Sequence, residues 1–402
     1  MAWHTLTPWA VQQHDSDGTE VIRCYSGTVP ASTTWTRLLT NEVSPLRVGT
    51  TTLRPVLYCA PVSGRRYKTA KKHTRAKPAR GSRRQWILWA MLPATLLIAV
   101  IIVLARRGPA EEDEIAEFDG ARADRLVKEL CKRGHRYYGA PKRAEAIANL
   151  QTMLDEVTDQ TALQRFDAHE TSSDEDYELT NIIGRLDPQA TRRVILASHW
   201  DTRKWAEEDA DPEQRDDPIE GANDGTSGVA VLLELARVLK TRPPSSVGVD
   251  FVLFDGEEFG RPGSDDYCQG SRYFARMLKG LYPRSRPEYA IVIDMVGDCD
   301  QGFLPELTSL KRAPRLVGKI WNAATRLGYG EIFSSSGNWA IEDDHTALQK
   351  AGIQSALLID YDYPHWHTQG DTVDKVCATS LERVGKVLLE VLLNPVEERD
   401  NG

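Results

Sequence analysis

Apolar runs rich in β-branched residues alternate with amphipathic segments from residue 178 onward. Of all features of the sequence, this alternation restricts the possible folds most. The runs are ELTNIIGRL (178–186), RRVILAS (192–198), VDFVLFD (249–255), YAIVIDMV (289–296) and QSALLID (354–360). Segments with helical spacing of apolar residues lie between or after them, such as SGVAVLLELARVL (227–239). Strands of this kind with helices between them are typical of a parallel sheet that is buried on both faces. The sequence therefore predicts an α/β fold, with helices on both faces of a mostly parallel, twisted central sheet.

A segment of 20 residues without charge, WILWAMLPATLLIAVIIVLA (86–105), comes before this α/β region. It is long enough to cross the hydrocarbon core of a bilayer as one helix. Ten Lys or Arg residues lie in 65–84, so the positive-inside rule leaves the N-terminus in the cytoplasm. We therefore expect a basic, poorly ordered cytoplasmic tail (1–85), a single transmembrane anchor (86–105) and an extracytoplasmic domain (108–397). A cleaved signal peptide is the alternative, although such a peptide normally lies at the N-terminus and has a shorter apolar run.

Charge divides the chain in the same place. Residues 1–107 carry 16 Lys and Arg against 4 Asp and Glu, whereas residues 108–402 carry 34 against 54. A domain with this excess of acid repels phosphates, which argues against nucleic acid as its partner. The six cysteines include no CxxC or CxxH pair, so the sequence also argues against a zinc site built from thiolates. A disulfide among the last four cysteines and a set of buried free thiols both stay open.

Carboxylates and imidazoles follow the predicted strands, at the edge where a parallel sheet places its ligand sites. They are His199 and Asp201 after the second run, Asp224 in the turn GANDGTSG, Glu257 and Glu258 after the third run, Asp294 and Asp298 at the fourth, and His365 and His367 after the fifth. Like charges held together raise one another's pKa, and a divalent cation would offset this repulsion. Asp, Glu and His without Cys form the ligand set of a catalytic zinc site. Each residue alone could be a turn former or a packing residue, so the prediction rests on the ordered set.

The motifs HWD, GANDGTSG, DGEE, IDMVGD and WHTQGDT, in this order and spacing, resemble metallopeptidase family twenty-eight, the zinc aminopeptidases and their relatives. The resemblance covers about Glu114 to Leu393. Within it, the FDGEE block, the DDH at 343–345 and the pair Trp366–His367 look more like the glutaminyl-peptide cyclotransferase branch. The resemblance implies a zinc exopeptidase-like fold of the phosphorylase/hydrolase kind for the extracytoplasmic domain.

Residues that match the family's motifs receive their metal-binding roles from this resemblance. Asp224, Glu258 and His367 match the three ligands of the single zinc of the cyclases. His199 and Asp294 match the additional ligands with which the aminopeptidases hold a second zinc, and Asp224 would then bridge both ions. One zinc is therefore expected if the protein is cyclase-like, and two if it is aminopeptidase-like.

The resemblance also implies catalytic and substrate-binding roles. Glu257 matches the general acid and base, which lies beside the metal without binding it. Asp294 and Asp343 match acids that hydrogen-bond near this glutamate in the cyclases, and Trp366 matches a tryptophan that lines the substrate pocket.

The chain departs from the animal cyclases around that pocket. Ser198 stands where they carry a cysteine, Leu357 stands at about the position of a histidine, and the loop FGRPGSDDY (259–267) lacks their second pocket tryptophan. An acidic stretch, EEDADPEQRDDPIE (207–220), lies between two site motifs and is either a lid or a solvated insertion. These departures concern the substrate pocket and leave the metal ligands intact.

Three functions are compatible with this set of residues. In a glutaminyl cyclase the substrate's own α-amine attacks the γ-carbonyl of an N-terminal glutamine, and Glu257 carries a proton from the amine to the departing ammonia. In an aminopeptidase Glu257 activates a water that attacks the first peptide bond. Both act on free peptide N-termini, and the motifs favour the cyclase. A membrane-anchored binding module without catalysis is the third hypothesis, and it predicts gaps among the ligands that the sequence does not show.

Overall fold

The computed structural model of the protein describes residues 117–245, 247–335 and 339–394, together with the backbone of two N-terminal strands. These strands, β1 (Trp9–His14) and β2 (Glu20–Tyr25), form an antiparallel hairpin within a separate compact unit, Met1–Trp89. The predicted transmembrane anchor (86–105) and the rest of the predicted tail lie outside the described residues. No helix in the described part of the chain is both long and apolar enough to cross a membrane.

A six-stranded sheet forms the centre of the second compact unit, Ala90–Gly402. Its strands are β3 (Gln160–Glu170), β4 (Glu175–Leu186), β5 (Arg193–His199), β6 (Gly248–Phe254), β7 (Tyr289–Asp294) and β8 (Gln354–Ile359), in the order β3-β4-β6-β5-β7-β8. The last four in this order run parallel, whereas β3 and β4 form an antiparallel edge. The predicted mixed α/β architecture is thus confirmed. Strand β3 is not among the predicted strands, because this edge strand is largely exposed and has no continuous apolar run.

Eight α-helices are described in the same unit. They are α1 (Gly120–Lys132), α2 (Arg143–Val157), α3 (Ser227–Thr241), α4 (Gln269–Leu281), α5 (Leu307–Arg312), α6 (Pro314–Arg326), α7 (Asp344–Lys350) and α8 (Ala378–Leu393). The sequence analysis did not predict α5 and α7, which have 6 and 7 residues. Helices this short repeat their apolar spacing too few times to be detected.

Alternate side chains of the parallel strands pack on opposite faces of the sheet. Val194 and Leu196 of β5 belong to the larger core, which also contains side chains of α1, α2, α3, α6 and α8. Ile195 and Ala197 belong to a second core with side chains of α4 and α7. This period of two explains why these strands read as unbroken apolar runs, since both faces are buried.

A disulfide joins Cys299, in the loop after β7, to Cys377, which immediately precedes α8. Backbone hydrogen bonds flank it, from Cys299 to the Lys375 carbonyl and from Cys377 to the Gly297 carbonyl. The disulfide therefore ties the loop that follows Asp294 to the far end of the chain.

Candidate metal centre and active site

The register of the parallel strands brings the predicted site residues to one edge of the sheet. His199 at the end of β5 pairs with Phe254 at the end of β6, and Asp294 at the end of β7 pairs with Ile359 of β8. Ala197 pairs with Val292, two residues before His199 and Asp294, so these two side chains project from the same face.

Tight turns carry the remaining residues to the same place. Gly225 follows Asp224 with φ of 83°, and a Cβ there would overlap the Asp201 carbonyl oxygen, so the turn requires glycine. The buried Asp201 carboxylate accepts the backbone N–H groups of Glu257 and Glu258 over 3.3 and 3.1 Å. Asp201 therefore fixes the backbone of the glutamate pair rather than facing a ligand.

Two buried triads share the Asp224 carboxylate. In the His199 triad (His199, Asp224, Asp294), Nε2 of His199 lies 3.2 Å from Oδ1 of Asp224 and 2.9 Å from Oδ1 of Asp294. In the Glu258 triad (Asp224, Glu258, His367), Nε2 of His367 lies 3.6 Å from Oδ2 of Asp224 and 3.1 Å from Oε1 of Glu258. Within each triad the ligand atoms lie within 4.8 Å of one another. Each triad offers two carboxylate oxygens and one imidazole, a donor set that fits zinc.

An ion pair between the buried Arg203 and the half-buried Glu207 supports the Glu258 triad. Nδ1 of His367 donates to Oε1 of Glu207 over 3.0 Å, which leaves Nε2 for the metal. Arg203, which is fully buried, contacts Glu207 at 2.7 Å and Oε2 of Glu258 at 3.2 Å, and its Nη2 donates to the Tyr267 hydroxyl over 2.7 Å. One guanidinium thus orients a carboxylate ligand directly and an imidazole ligand through Glu207.

Sequence reasoning missed both members of this ion pair. Glu207 was part of the acidic stretch 207–220, and the structure places it against His367 instead of in a solvated insertion. Arg203 lies four residues before Glu207 and two residues after the HWD motif. The one signal in the sequence was that Arg203, a cation, lies close along the chain to carboxylates predicted to cluster.

The His199 triad has less support. Nδ1 of His199 lies 3.7 Å from Oδ1 of Asp201, beyond hydrogen-bonding distance, and this nitrogen has no hydrogen-bond partner among the described residues.

Two non-glycine residues at the site have a left-handed backbone. Met295, directly after Asp294, and His367 have positive φ values of 44° and 52°. Non-glycine residues in this region are strained and often lie at functional sites.

Without a metal, the residues of the Glu258 triad have pKa values shifted in different directions. Burial and the charge of Glu258 raise the pKa of Asp224 well above its ordinary value. Burial opposes a charge on His367, but Glu258 and Glu207 raise its pKa to about 10. Burial also opposes ionisation of Glu258, yet His367 and Arg203 hold its pKa far below the usual range. A bound cation would replace the proton on His367, so the cluster fits a metal electrostatically as well.

Glu257 is half-buried and belongs to neither triad. Burial and the charge of Glu258 raise its pKa well above the ordinary value, and Asp343 acts in the same direction. The Cys268 thiol donates to Oε1 of Glu257 over 3.3 Å. Asp343 lines the same cleft but caps α7, where its side chain accepts the Asp344 N–H. A carboxyl with a raised pKa beside a metal site is suited to proton transfer.

Comparison with known protein families agrees with this geometry. The profile of peptidase family M28 matches residues 181–392, more than half of the 402 residues, and this range includes both triads. The chain belongs to peptidase family M28. The resemblance to metallopeptidase family twenty-eight that the motifs predicted is thereby confirmed.

Relatives of this M28 chain carry two activities in their names. It is 26% identical over 241 residues to the glutaminyl-peptide cyclotransferase of Bos taurus, across 52% of this chain and 64% of the relative. It is 27% identical over 239 residues to aminopeptidase YwaD of Bacillus subtilis strain 168, across 54% of this chain and 45% of the relative. The chain thus spans less than two thirds of the length of either. The solved glutaminyl cyclase of Bacteroides thetaiotaomicron, bound to N-acetylhistamine, matches with a TM-score of 0.66 and 32% identity, over 69% of this chain and 99% of that one.

The site of this M28 member opens into a cleft of about 120 Å³. Its lining comprises ligands and acids from the predicted set together with Tyr267, Met295, Ile341, Glu342, Ile359, Tyr361 and Trp366. The Trp366 ring stacks on His367 with centroids 4.0 Å apart, so this tryptophan lies beside the Glu258 triad. Besides Asp201 and Glu257, two more residues named with the strand ends lie outside both triads: Asp298 pairs with Val376, and His365 packs against Tyr363.

Proposed function

We propose that the protein is a zinc-dependent enzyme that converts N-terminal glutamine of peptides to pyroglutamate with release of ammonia. The observation that carries the catalytic part of this proposal, which the aminopeptidase candidate shares, is the position of Glu257. Its half-buried carboxyl lies in a small cleft beside a complete ligand triad and is not one of the ligands. The cyclotransferase and cyclase names of the Bos taurus and Bacteroides thetaiotaomicron relatives support the same reaction.

Four residues of the cleft then have defined tasks. Asp224, Glu258 and His367 would hold the zinc, which supplies a Lewis acid for the γ-carbonyl of the glutamine. Glu257 accepts a proton from the substrate's α-amine as the bond between this nitrogen and the γ-carbon forms. It then donates that proton to the amide nitrogen as the old carbon–nitrogen bond breaks and ammonia leaves.

The cleft also favours intramolecular attack over hydrolysis. A glutamine side chain bound in this cleft of about 120 Å³ would displace water from beside the Glu258 triad. Trp366 provides an apolar wall next to His367, against which the substrate's methylene groups can pack.

An aminopeptidase is the second candidate, because the His199 triad offers a second set of metal ligands around the shared Asp224. Two metals would stabilise both an attacking hydroxide and the developing oxyanion. The aminopeptidase YwaD relative supports this reading.

Peptide turnover and zinc content separate the two candidates. The full-length protein should release ammonia from a glutaminyl peptide, keep its peptide bonds intact and contain one zinc per chain. Glu257→Gln should lower kcat by roughly 100-fold to 10,000-fold while zinc content stays the same. Release of free N-terminal amino acids by a protein with two zincs would instead establish the aminopeptidase.

We further propose that segment 86–105 anchors the protein in a membrane with the catalytic domain outside the cytoplasm. The proposal rests on the uncharged segment and its basic flank. The Cys299–Cys377 disulfide supports it, because disulfides persist in oxidising compartments. Protease added to intact cells that express the full chain should digest the domain, and full protection of the domain would contradict this topology.

A further inference from the structure

The cleft at the metal site is too small to hold more than the reacting end of a peptide. Its volume of about 120 Å³ is well below the roughly 300 Å³ at which pockets for larger ligands begin. A peptide substrate, as the proposed function requires, must therefore lie with its second residue outside the cleft, on the surface around the mouth.

Exposed aromatic side chains gather at this mouth. The described residues expose five large apolar side chains, and three of these are Trp339, Tyr361 and Trp366, exposed by 42%, 42% and 40%. Tyr361 and Trp366 line the cleft. The Trp339 ring packs on the Tyr361 ring with centroids 4.8 Å apart, which extends the aromatic surface outward from the cleft. Clustered exposed apolar groups indicate a binding surface, whereas scattered ones do not.

A backbone hydrogen bond and the end of a strand hold the two residues of this aromatic pair. The Trp339 carbonyl accepts the N–H of Leu307, the first residue of α5, over 2.7 Å. The residue before Leu307, Glu306, is buried and ion-paired to His345 at 3.1 Å. Tyr361 follows directly after the end of β8 and Asp360. Rings placed on a fixed backbone lose little conformational entropy when a ligand stacks on them.

We propose that Trp339 and Tyr361 form a subsite for the side chain of the substrate's second residue, and that this subsite favours aromatic side chains. The inference rests on the proposed action at peptide N-termini. The two rings offer a wide apolar face continuous with the cleft, so an aromatic side chain leaving the cleft has a stacking partner that glycine cannot use.

Matched tripeptides test the subsite on the full-length protein. The kcat/KM ratio of Gln-Phe-Ala to Gln-Gly-Ala should be about threefold to tenfold, as expected for one aromatic contact. Trp339→Ala and Tyr361→Ala should each bring this ratio close to one, and Trp339→Phe should retain most of it. Met277→Ala is the control, because Met277 is 43% exposed on α4 and does not line the cleft. Equal use of both peptides by the unmodified protein would overturn the subsite.

Binding measurements keep this test separate from the test of the proposed function. If neither peptide is turned over, the proposed reaction has failed, and calorimetric titration with the same two peptides decides the subsite. Tighter binding of Gln-Phe-Ala that is lost in Trp339→Ala supports the subsite. Equal or absent binding of both peptides overturns it.

Discussion

The two triads around Asp224 contain the same kinds of ligand but differ in what stands behind them. In the Glu258 triad, Arg203 and Glu207 contact both remaining ligands, at 3.2 and 3.0 Å. In the His199 triad, Nδ1 of His199 has no hydrogen-bond partner among the described residues. Residues that orient metal ligands raise metal affinity, so identical ligand types do not imply equal sites. We expect the Glu258 triad to bind the first zinc.

Removal of the buried cation should give the largest effect on this comparison. Arg203→Met leaves the buried Glu258 and the half-buried Glu207 without their guanidinium partner, which should lower the free energy of unfolding by about 3 to 5 kcal/mol. Urea denaturation of the metal-free protein measures the change. Arg165→Met is the matched control, because Arg165 makes an exposed ion pair with Glu178 and its loss should cost about 1 kcal/mol or less. Equal losses in the two variants would show that Arg203 does not support the site.

Substitution of His367 and of His199 directly tests whether the two triads differ in zinc affinity. His367→Gln should weaken zinc binding by at least about 100-fold, since a ligand contributes more than the 10-fold to 100-fold of its outer partners. His199→Gln should change the affinity for the first zinc by less than about tenfold. Competition with a chelating dye measures both affinities, and thermal unfolding of the metal-free variants checks that they fold. The same loss in both variants would mean that the triads bind zinc equally.

Asp360 is a buried carboxyl outside both triads, and it shows what burial does to a pKa without a cationic partner such as the one beside Glu258. Burial, together with the nearby Asp362, raises the pKa of Asp360 from 3.8 to about 8, although the Gly302 N–H opposes this shift. The folded state therefore keeps a proton that the unfolded state releases near pH 4, and stability should fall as the pH rises from about 4 to about 8.

Asp360→Asn should flatten this part of the pH profile. Urea unfolding at pH 5 and pH 8 measures the effect, and Asp155→Asn, at an exposed position on α2, serves as the control. A profile that is unchanged in Asp360→Asn would show that Asp360 is not the group responsible.

The fold and the candidate ligands were predictable because they follow from short-range pattern. Runs such as VDFVLFD (249–255) identify strands with both faces buried, and a parallel sheet brings the residues after such strands to one edge. The structure places Asp224, Glu258 and His367 together in this way. The edge strand β3 escaped prediction because one of its faces is exposed, and α5 and α7 escaped because they are too short to show a period.

The partners of the ligands could not be predicted, because they meet only across the folded chain. Arg203 contacts Glu258 from 55 positions away, and Glu207 contacts His367 from 160 positions away. No local pattern relates residues at such distances. The Trp339–Tyr361 pair and, over only 11 positions, the Cys268 thiol against Glu257 also depend on how the loops fold.

By itself, the sequence determined the family, the α/β class and the residue types at the strand ends, because apolar periodicity and motif order are properties of the chain. The tertiary structure decided which oxygen of Asp224 faces each histidine and which triad has a buried guanidinium behind it. It also places the two glutamates of FDGEEFG in the positions that the motif resemblance implied. Glu258 lies within a triad against His367 and Arg203, whereas Glu257 faces the cleft. These differences follow from burial and from the distances between charges, which exist only once the strands have assembled.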